Sequence, residues 1–141
     1  MSLPDAVLLD TCAVIWLANG DPMEPAALAA VEHARRRQGV FVSPVSAWEV
    51  GLLSRPRPGR GPALRFDPDP QAWFARVMAA PGVKEARLTP RVAIAASWLP
   101  GEFHGDPADR LIVATAREMG VPVVTRDRAV LGYGGVVGVG C

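Results

Sequence analysis

The sequence predicts an α/β fold built on a mainly parallel sheet. Short, continuous apolar runs, typical of strands covered on both faces, alternate along the chain with segments of helical pattern. The 141 residues suffice for one domain with a sizeable core, and half of them are hydrophobic, so we expect a single domain over residues 1–141. Strands are expected at Ala6–Leu9 and at residues 40–42, 83–88, 122–125 and 136–139.

Residues that commonly begin or end helices bound the segments between these strands. Ser43-Pro44 and Asp106-Pro107 each supply an N-cap followed by proline at the first helical position, and Gly120 is suited to end the helix before it. Residues 54–70 are too rich in Pro and Gly for a helix or a central strand, so they are expected to form a surface loop. Helices are expected at residues 11–18, 24–37, 44–53, 71–80, 90–99 and 107–119.

Composition excludes several classes of protein. The net charge of +1 gives no reason by itself to expect a nucleic-acid partner. Fourteen of the fifteen basic residues are arginine, however, and arginine can bind phosphates through paired hydrogen bonds. No apolar stretch approaches the roughly 18 residues of a membrane span, and the N-terminus lacks a signal-peptide pattern, so we expect a cytoplasmic protein without a membrane partner. Cys12 and Cys141 do not form a metal-binding pair, and Cys12 is expected to be a small buried residue.

Four acidic side chains are expected to meet at one edge of the sheet. Asp10 directly follows the first strand and Asp127 closely follows the strand at 122–125, so both fall at the carboxyl edge, where open α/β proteins bind ligands. Glu49 lies on the helical face that carries Val45, and Asp109 lies on the face that carries apolar residues of the 107–119 helix. Both carboxylates are therefore expected to point toward the core.

A group of buried carboxylates needs a positive partner to balance its negative charge. An ionised carboxylate costs several kcal/mol to bury unless it is paired, and neighbouring acids raise one another's pKa. A hard divalent cation such as Mg²⁺ binds oxygen ligands and removes both costs. The four acids together therefore predict a metal site, whose bound water can attack a phosphodiester.

Each acid also has a purely structural interpretation. Asp10 is equally well placed to cap the helix that follows it, and Asp127 to stabilise a turn. Asp106 is expected to be an N-cap, with Asp109 in the first turn as the metal ligand. Glu49 stands three residues after Ser46, the spacing of a capping box, but Ser43-Pro44 is the better helix start.

Four segments resemble the successive motifs of the PIN-domain family, in order and spacing, along nearly the whole chain. The third is the most specific. The segments are Leu8-Leu9-Asp10-Thr11, Ser46-Ala47-Trp48-Glu49-Val50, Asp106-Pro107-Ala108-Asp109-Arg110-Leu111-Ile112-Val113-Ala114-Thr115-Ala116 and Val124-Thr125-Arg126-Asp127.

This resemblance, which extends to VapC-type toxins, implies a three-layer α/β/α fold and a Mg²⁺- or Mn²⁺-dependent RNA endonuclease. It also implies a homodimer and a cognate antitoxin that occupies the active-site groove. Carried over by position, Asp10, Glu49 and Asp109 would be the core metal ligands and Asp127 the fourth acid. Thr11 and Thr125 fall where hydroxyls support the site in this family, although local capping explains them equally well.

Other side chains have weaker functional readings. Arg110 is expected to orient Asp109 or to pair with an acid. The loop residue His104 is expected to have no role in the site. The tryptophans, one in each of four helices, are expected to pack in the core. Arg55, Arg57, Arg60 and Arg65 either contact RNA phosphates or form a solvated loop.

Two other functions fit the sequence less well. A binding module with a PIN-like fold needs no complete set of acids, yet all four are present. A phosphohydrolase of the haloacid-dehalogenase type needs a second aspartate two residues after the first, and Cys12 stands there instead.

Overall fold

Five parallel strands form the central sheet of the computed structural model, which describes residues 2–59, 61–103 and 105–141. The strand order is β3-β2-β1-β4-β5, so the first strand lies in the middle. Its four residues are all buried, as the continuous apolar run predicts. The strands are β1 (Ala6–Leu9), β2 (Gly39–Val42), β3 (Val83–Glu85), β4 (Val123–Thr125) and β5 (Gly138–Gly140).

Seven helices connect or follow these strands within the described residues. They are α1 (Thr11–Asn19), α2 (Pro25–Arg35), α3 (Pro44–Leu53), α4 (Pro70–Ala79), α5 (Pro90–Ser97), α6 (Pro107–Met119) and α7 (Arg128–Leu131). Gly20 and Gly120 end α1 and α6 with φ near +70°, a conformation that costs glycine little.

The helices cover both faces of the sheet. Because side chains alternate along a strand, Leu9 of β1 packs with one set of helices and Leu8 with the other. The first set contains α1, α2 and α4, and the second contains α5 and α6. The arrangement is the expected three-layer α/β/α fold, with a hydrophobic core on each side of the sheet.

Most predicted elements differ from the observed ones by one or two residues at an end, and the two edge strands and one unpredicted helix are the clearest cases. The strand expected at 83–88 ends at Glu85, although the backbone of Ala86 still donates to Val42. The last strand begins two residues later than expected, at Gly138. The turn expected around residues 126–128 leads into α7, a one-turn helix too short to show a periodic pattern.

The expected burial of Cys12 and of two tryptophans is wrong. Cys12 is exposed on the first turn of α1. Trp73 is buried and Trp16 partly buried, but Trp48 and Trp98 are 60% and 82% exposed. One tryptophan in a helix does not reveal which face it occupies, and these two lie opposite the faces that their helices bury.

No helix in the described ranges is both long and apolar enough to span a membrane. Arg60 of the basic loop and His104 lie outside the described residues, so the expectations for these two side chains stay predictions.

Candidate active site

Asp10 caps a helix and also accepts a hydrogen bond from a neighbouring strand. Its backbone directly follows β1, and its Oδ1 accepts a hydrogen bond from the Ala13 amide at 2.8 Å, which caps α1. Its Oδ2 accepts from the Thr125 hydroxyl at 2.5 Å, across the β1–β4 pair. The side chain is only 7% exposed. Two donors from different elements therefore fix this carboxylate at the carboxyl edge of the sheet.

Glu49 is half-buried one turn inside α3, and a chain of hydroxyls holds it. The Thr11 hydroxyl donates to Glu49 Oε1 at 2.5 Å and lies 3.0 Å from the hydroxyl of Ser46. Ser43 caps the helix by accepting from the Val45 amide at 3.0 Å. The capping-box alternative for Glu49 is therefore wrong, and its carboxylate is directed to α1 instead.

Asp106 caps a helix, as the sequence predicts, whereas Asp109 does not. Asp106 is the N-cap of α6, because its Oδ1 accepts from the Asp109 amide at 2.8 Å. The half-buried Asp109 carboxyl has its pKa raised to about 7, first by burial and then by the charges of Asp106, Asp127, Glu49 and Asp10. Every one of these causes acts in the same direction.

Asp127 is exposed and caps α7. Its Oδ1 accepts from the amides of Ala129 and Val130 at 2.8 and 3.2 Å, and its own amide donates to the Thr125 hydroxyl at 2.9 Å. Asp127 therefore has a structural role, as the cap of a short helix rather than as the stabiliser of a turn. Its charge also raises the pKa of Asp10, after the larger effect of burial.

The four acids form an uncompensated negative cluster at one edge of the sheet. Burial is the largest cause that raises the pKa of Asp10, Glu49 and Asp109, and charges within the group add to it. Among the ion pairs seen between described residues, none includes any of the four. Nor do three carboxyl, imidazole or thiol groups of the described chain converge on one point that could hold an ion. The acids are instead bonded to hydroxyls and amides.

Thr11, Thr125 and Ser46 support the carboxylates. Thr125 is fully buried and donates to Asp10 while it accepts from the Asp127 amide, so it joins two of the four acids. Sequence reasoning missed Ser46, whose only signal is that it precedes Glu49 by three residues on α3. Cys12 also reaches this edge: although the residue as a whole is exposed, its thiol is partly buried, and this burial followed by the charges of Asp10, Glu49 and Asp109 raises the thiol pKa to about 11.

The expectation that Arg110 orients Asp109 or pairs with an acid is wrong. Its guanidinium donates to the backbone carbonyls of Ala96 and Phe103 at 3.0 and 3.1 Å. Arg110 therefore joins α6 to the end of α5 and to the segment before α6. Its position next to Asp109 in sequence carries no information on the direction of its side chain, which points away along the helix surface.

Residues 7–134 match the PIN domain, and this range contains all four acids. The chain belongs to the PIN-domain family. It is 37% identical over 123 residues to "Ribonuclease VapC22" of Mycobacterium tuberculosis, a match that covers 86% of this chain and 87% of that protein.

Solved structures of PIN-domain relatives have the same fold. One is VapBC2 from Rickettsia felis bound to a DNA fragment from its promoter, with a TM-score of 0.67, 13% identity and coverage of 96% of this chain and 98% of that one. Another is DNA-bound VapBC from Salmonella typhimurium, with a TM-score of 0.62, 17% identity and coverage of 99% and 98%. The predicted three-layer PIN-like fold is confirmed.

Proposed function

We propose that this PIN domain is a Mg²⁺- or Mn²⁺-dependent endoribonuclease and the toxin of a toxin–antitoxin pair. The observation that carries the proposal is the uncompensated group of acids at the carboxyl edge of the sheet. The 37% identity to a protein named as a ribonuclease supports RNA as the substrate.

The chemistry of the donor set fits a hard divalent cation, although no three of these groups converge on one point within the described residues. Asp10, Glu49, Asp109 and Asp127 offer carboxylate oxygens, the ligands that Mg²⁺ and Mn²⁺ prefer. Burial without a positive partner leaves Asp109 with a pKa near 7, so a cation would compensate a charge that nothing else in the cluster balances. Asp10, Glu49 and Asp109 would hold the ion, and Asp127 would position a second ion or the attacking water.

When bound, such an ion activates water for in-line attack on a phosphodiester and stabilises the charge that develops on the phosphate. The expected products carry 5′-phosphate and 3′-hydroxyl ends. The chain's own contribution is to fix the donors. Thr125 and the Ala13 amide orient Asp10, and Thr11 orients Glu49, so these two carboxylates keep their positions while substrate binds.

The partners follow from the same proposal. The similarity to VapBC structures supports a cognate antitoxin for this chain. A homodimer and a cytoplasmic location complete the proposal, in agreement with the family resemblance.

Removal of divalent metal tests the mechanism. Purified protein should cleave single-stranded or structured RNA with Mg²⁺ or Mn²⁺ and lose that activity in excess chelator, because the acids alone cannot stabilise the negative charge that develops on the phosphate. Activity should return when Mg²⁺ is added beyond the chelator. An Asp109→Asn preparation made in parallel controls for contaminating nucleases. Equal cleavage with and without chelator would remove the metal from the proposal.

The basic loop is expected to strengthen RNA binding. Arg55, Arg57 and Arg65 are exposed, and only Arg65 has an acidic neighbour, Asp67 at 3.3 Å, among the ion pairs of the described residues. Replacement of these three arginines by serine should weaken binding and flatten its dependence on salt, since each phosphate contact releases counterions. Affinity that is unchanged over a salt series would leave the loop as a solvated surface.

A further inference from the structure

Arg126 is held in a fixed position beside the acids. Its guanidinium carbon lies 3.7 Å from the centre of the Trp16 ring, so one face of the group is stacked on the indole. Its Nε donates to the Cys141 carbonyl at 2.9 Å, and one terminal nitrogen donates to the Pro22 carbonyl at 2.7 Å. Three separate segments therefore immobilise one positive group.

These contacts leave part of Arg126 open to solvent. Arg126 is an exposed residue even though Trp16 covers one face and two carbonyls occupy its edges. Among the ion pairs seen between described residues, none joins Arg126 to an aspartate or glutamate side chain. What it offers to solvent is a flat, cationic surface.

A cleft lies beside this surface at the carboxyl edge of the sheet. Its volume is about 570 Å³, within the roughly 300–1,000 Å³ of small-molecule sites. It is lined by Pro22, Met23, Glu24, Arg126, Leu131 and Cys141, among others. None of the four acids lines the cleft, but Arg126 stands between Thr125, which is bonded to Asp10, and Asp127, so the cleft and the acids lie at the same edge of the sheet. Glu24 makes the cleft less suited to a phosphate than to a neutral base.

We propose that the Arg126–Trp16 stack is a base-stacking site for a nucleotide next to the cleaved phosphodiester. The inference rests on the proposed ribonuclease function. Arginine planes and aromatic rings are common stacking partners of unpaired RNA bases, and such stacking tolerates all four bases. The fixed positive charge also offsets the repulsion that four nearby carboxylates exert on RNA.

The test combines a protein variant with RNA that lacks single bases. Binding of a short fluorescein-labelled oligoadenylate is measured by anisotropy with Mg²⁺ in the Asp109→Asn background, where cleavage is expected to be lost. Oligomers with one abasic nucleotide, placed at each position in turn, are compared with the parent. One position should lose about tenfold in affinity, the usual scale of a base stack.

In the Arg126→Lys variant, the same abasic nucleotide should cause almost no loss of affinity beyond the loss that the substitution itself causes. Lysine keeps the charge but has no plane for stacking, so the effects of the protein and RNA changes should not add. Trp16→Phe, which keeps a ring beneath Arg126, should give an intermediate loss at the same position. Arg128→Lys, an exposed arginine of the same edge, is the matched control and should leave the full abasic effect. Melting temperatures confirm that each variant is folded.

Two outcomes separate this inference from the proposed function. If the parent binds no RNA, the ribonuclease proposal fails and the stacking site falls with it. If RNA binds but every abasic position costs the same in the parent and in Arg126→Lys, the stacking site alone is overturned. The Arg126 stack then serves to join chain segments or to meet a protein partner.

Discussion

Asp109→Asn should abolish RNA cleavage and, in metal-free buffer near pH 8, raise the melting temperature. Loss of a metal ligand should reduce the rate more than about 100-fold, because even the indirect partners of ligands change activity by about 10–100-fold. The gain in stability has an electrostatic cause. Burial and four neighbouring acids all raise the pKa of Asp109, so its ionised form is unfavourable in the folded protein.

The gain should depend on pH with a definite sign. The Asp109 pKa rises from its ordinary 3.8 to about 7 on folding, so the folded state binds the proton more tightly. The contribution of the protonated Asp109 carboxyl to the free energy of unfolding is fully present below about pH 4 and is lost as the pH rises through about 7. Asparagine does not ionise. Its advantage in melting temperature should therefore be large near pH 8 and small near pH 5.

Asp106 supplies the matched control, three residues earlier on the same helix. Asp106→Asn should keep both activity and stability, because asparagine accepts from the Asp109 amide as well as aspartate does. Asp106→Ala should keep most activity but lose on the order of 1 kcal/mol of folding free energy. If Asp106→Asn is inactive and Asp109→Asn active, the assignment of the third acid is wrong.

The sequence predicted the elements whose cause is local. The apolar run of β1 and the residues Ser43, Asp106 and Gly120, which bound helices, occupy the predicted positions because their effects act within a few residues. The edge strands β3 and β5 were less well placed. Each has only three residues, and neither is fully buried, so hydrophobicity marks their ends poorly.

The acids were predicted, but the contacts that hold them were not. Position after a strand brought Asp10 to the carboxyl edge, where one oxygen caps α1 and the other accepts from Thr125, so the cap is confirmed and the metal role stays a prediction. The family resemblance placed the Thr125 hydroxyl at the site, but its hydrogen bond to Asp10 spans 115 positions of sequence, and no local pattern identifies that partner. Arg110 failed as a prediction for the same reason, since its partners lie on α5 and on the segment before α6.

Two substitutions of Asp10 should separate its structural role from its proposed chemical one. Both Asp10→Asn and Asp10→Ala should lose cleavage by more than about 100-fold, since neither side chain supplies a charged oxygen ligand. Their stabilities should differ. Asparagine can still accept from the Ala13 amide and bond to the Thr125 hydroxyl, whereas alanine can do neither.

The expected difference in stability follows from these two contacts. Loss of the cap costs about 1 kcal/mol, and loss of the hydrogen bond that the asparagine NH2 donates to Thr125 costs about 0.5–1.5 kcal/mol, so Asp10→Ala should be roughly 1.5–2.5 kcal/mol less stable than Asp10→Asn. Burial raises the pKa of Asp10, so removal of its charge should also leave the asparagine variant no less stable than the natural protein near pH 8. Urea unfolding in chelator measures the stabilities, and RNA cleavage with Mg²⁺ measures the activities. Normal cleavage by Asp10→Asn would show that Asp10 is a helix cap alone, and equal stability of the two variants would show that its hydrogen bonds contribute little to the fold.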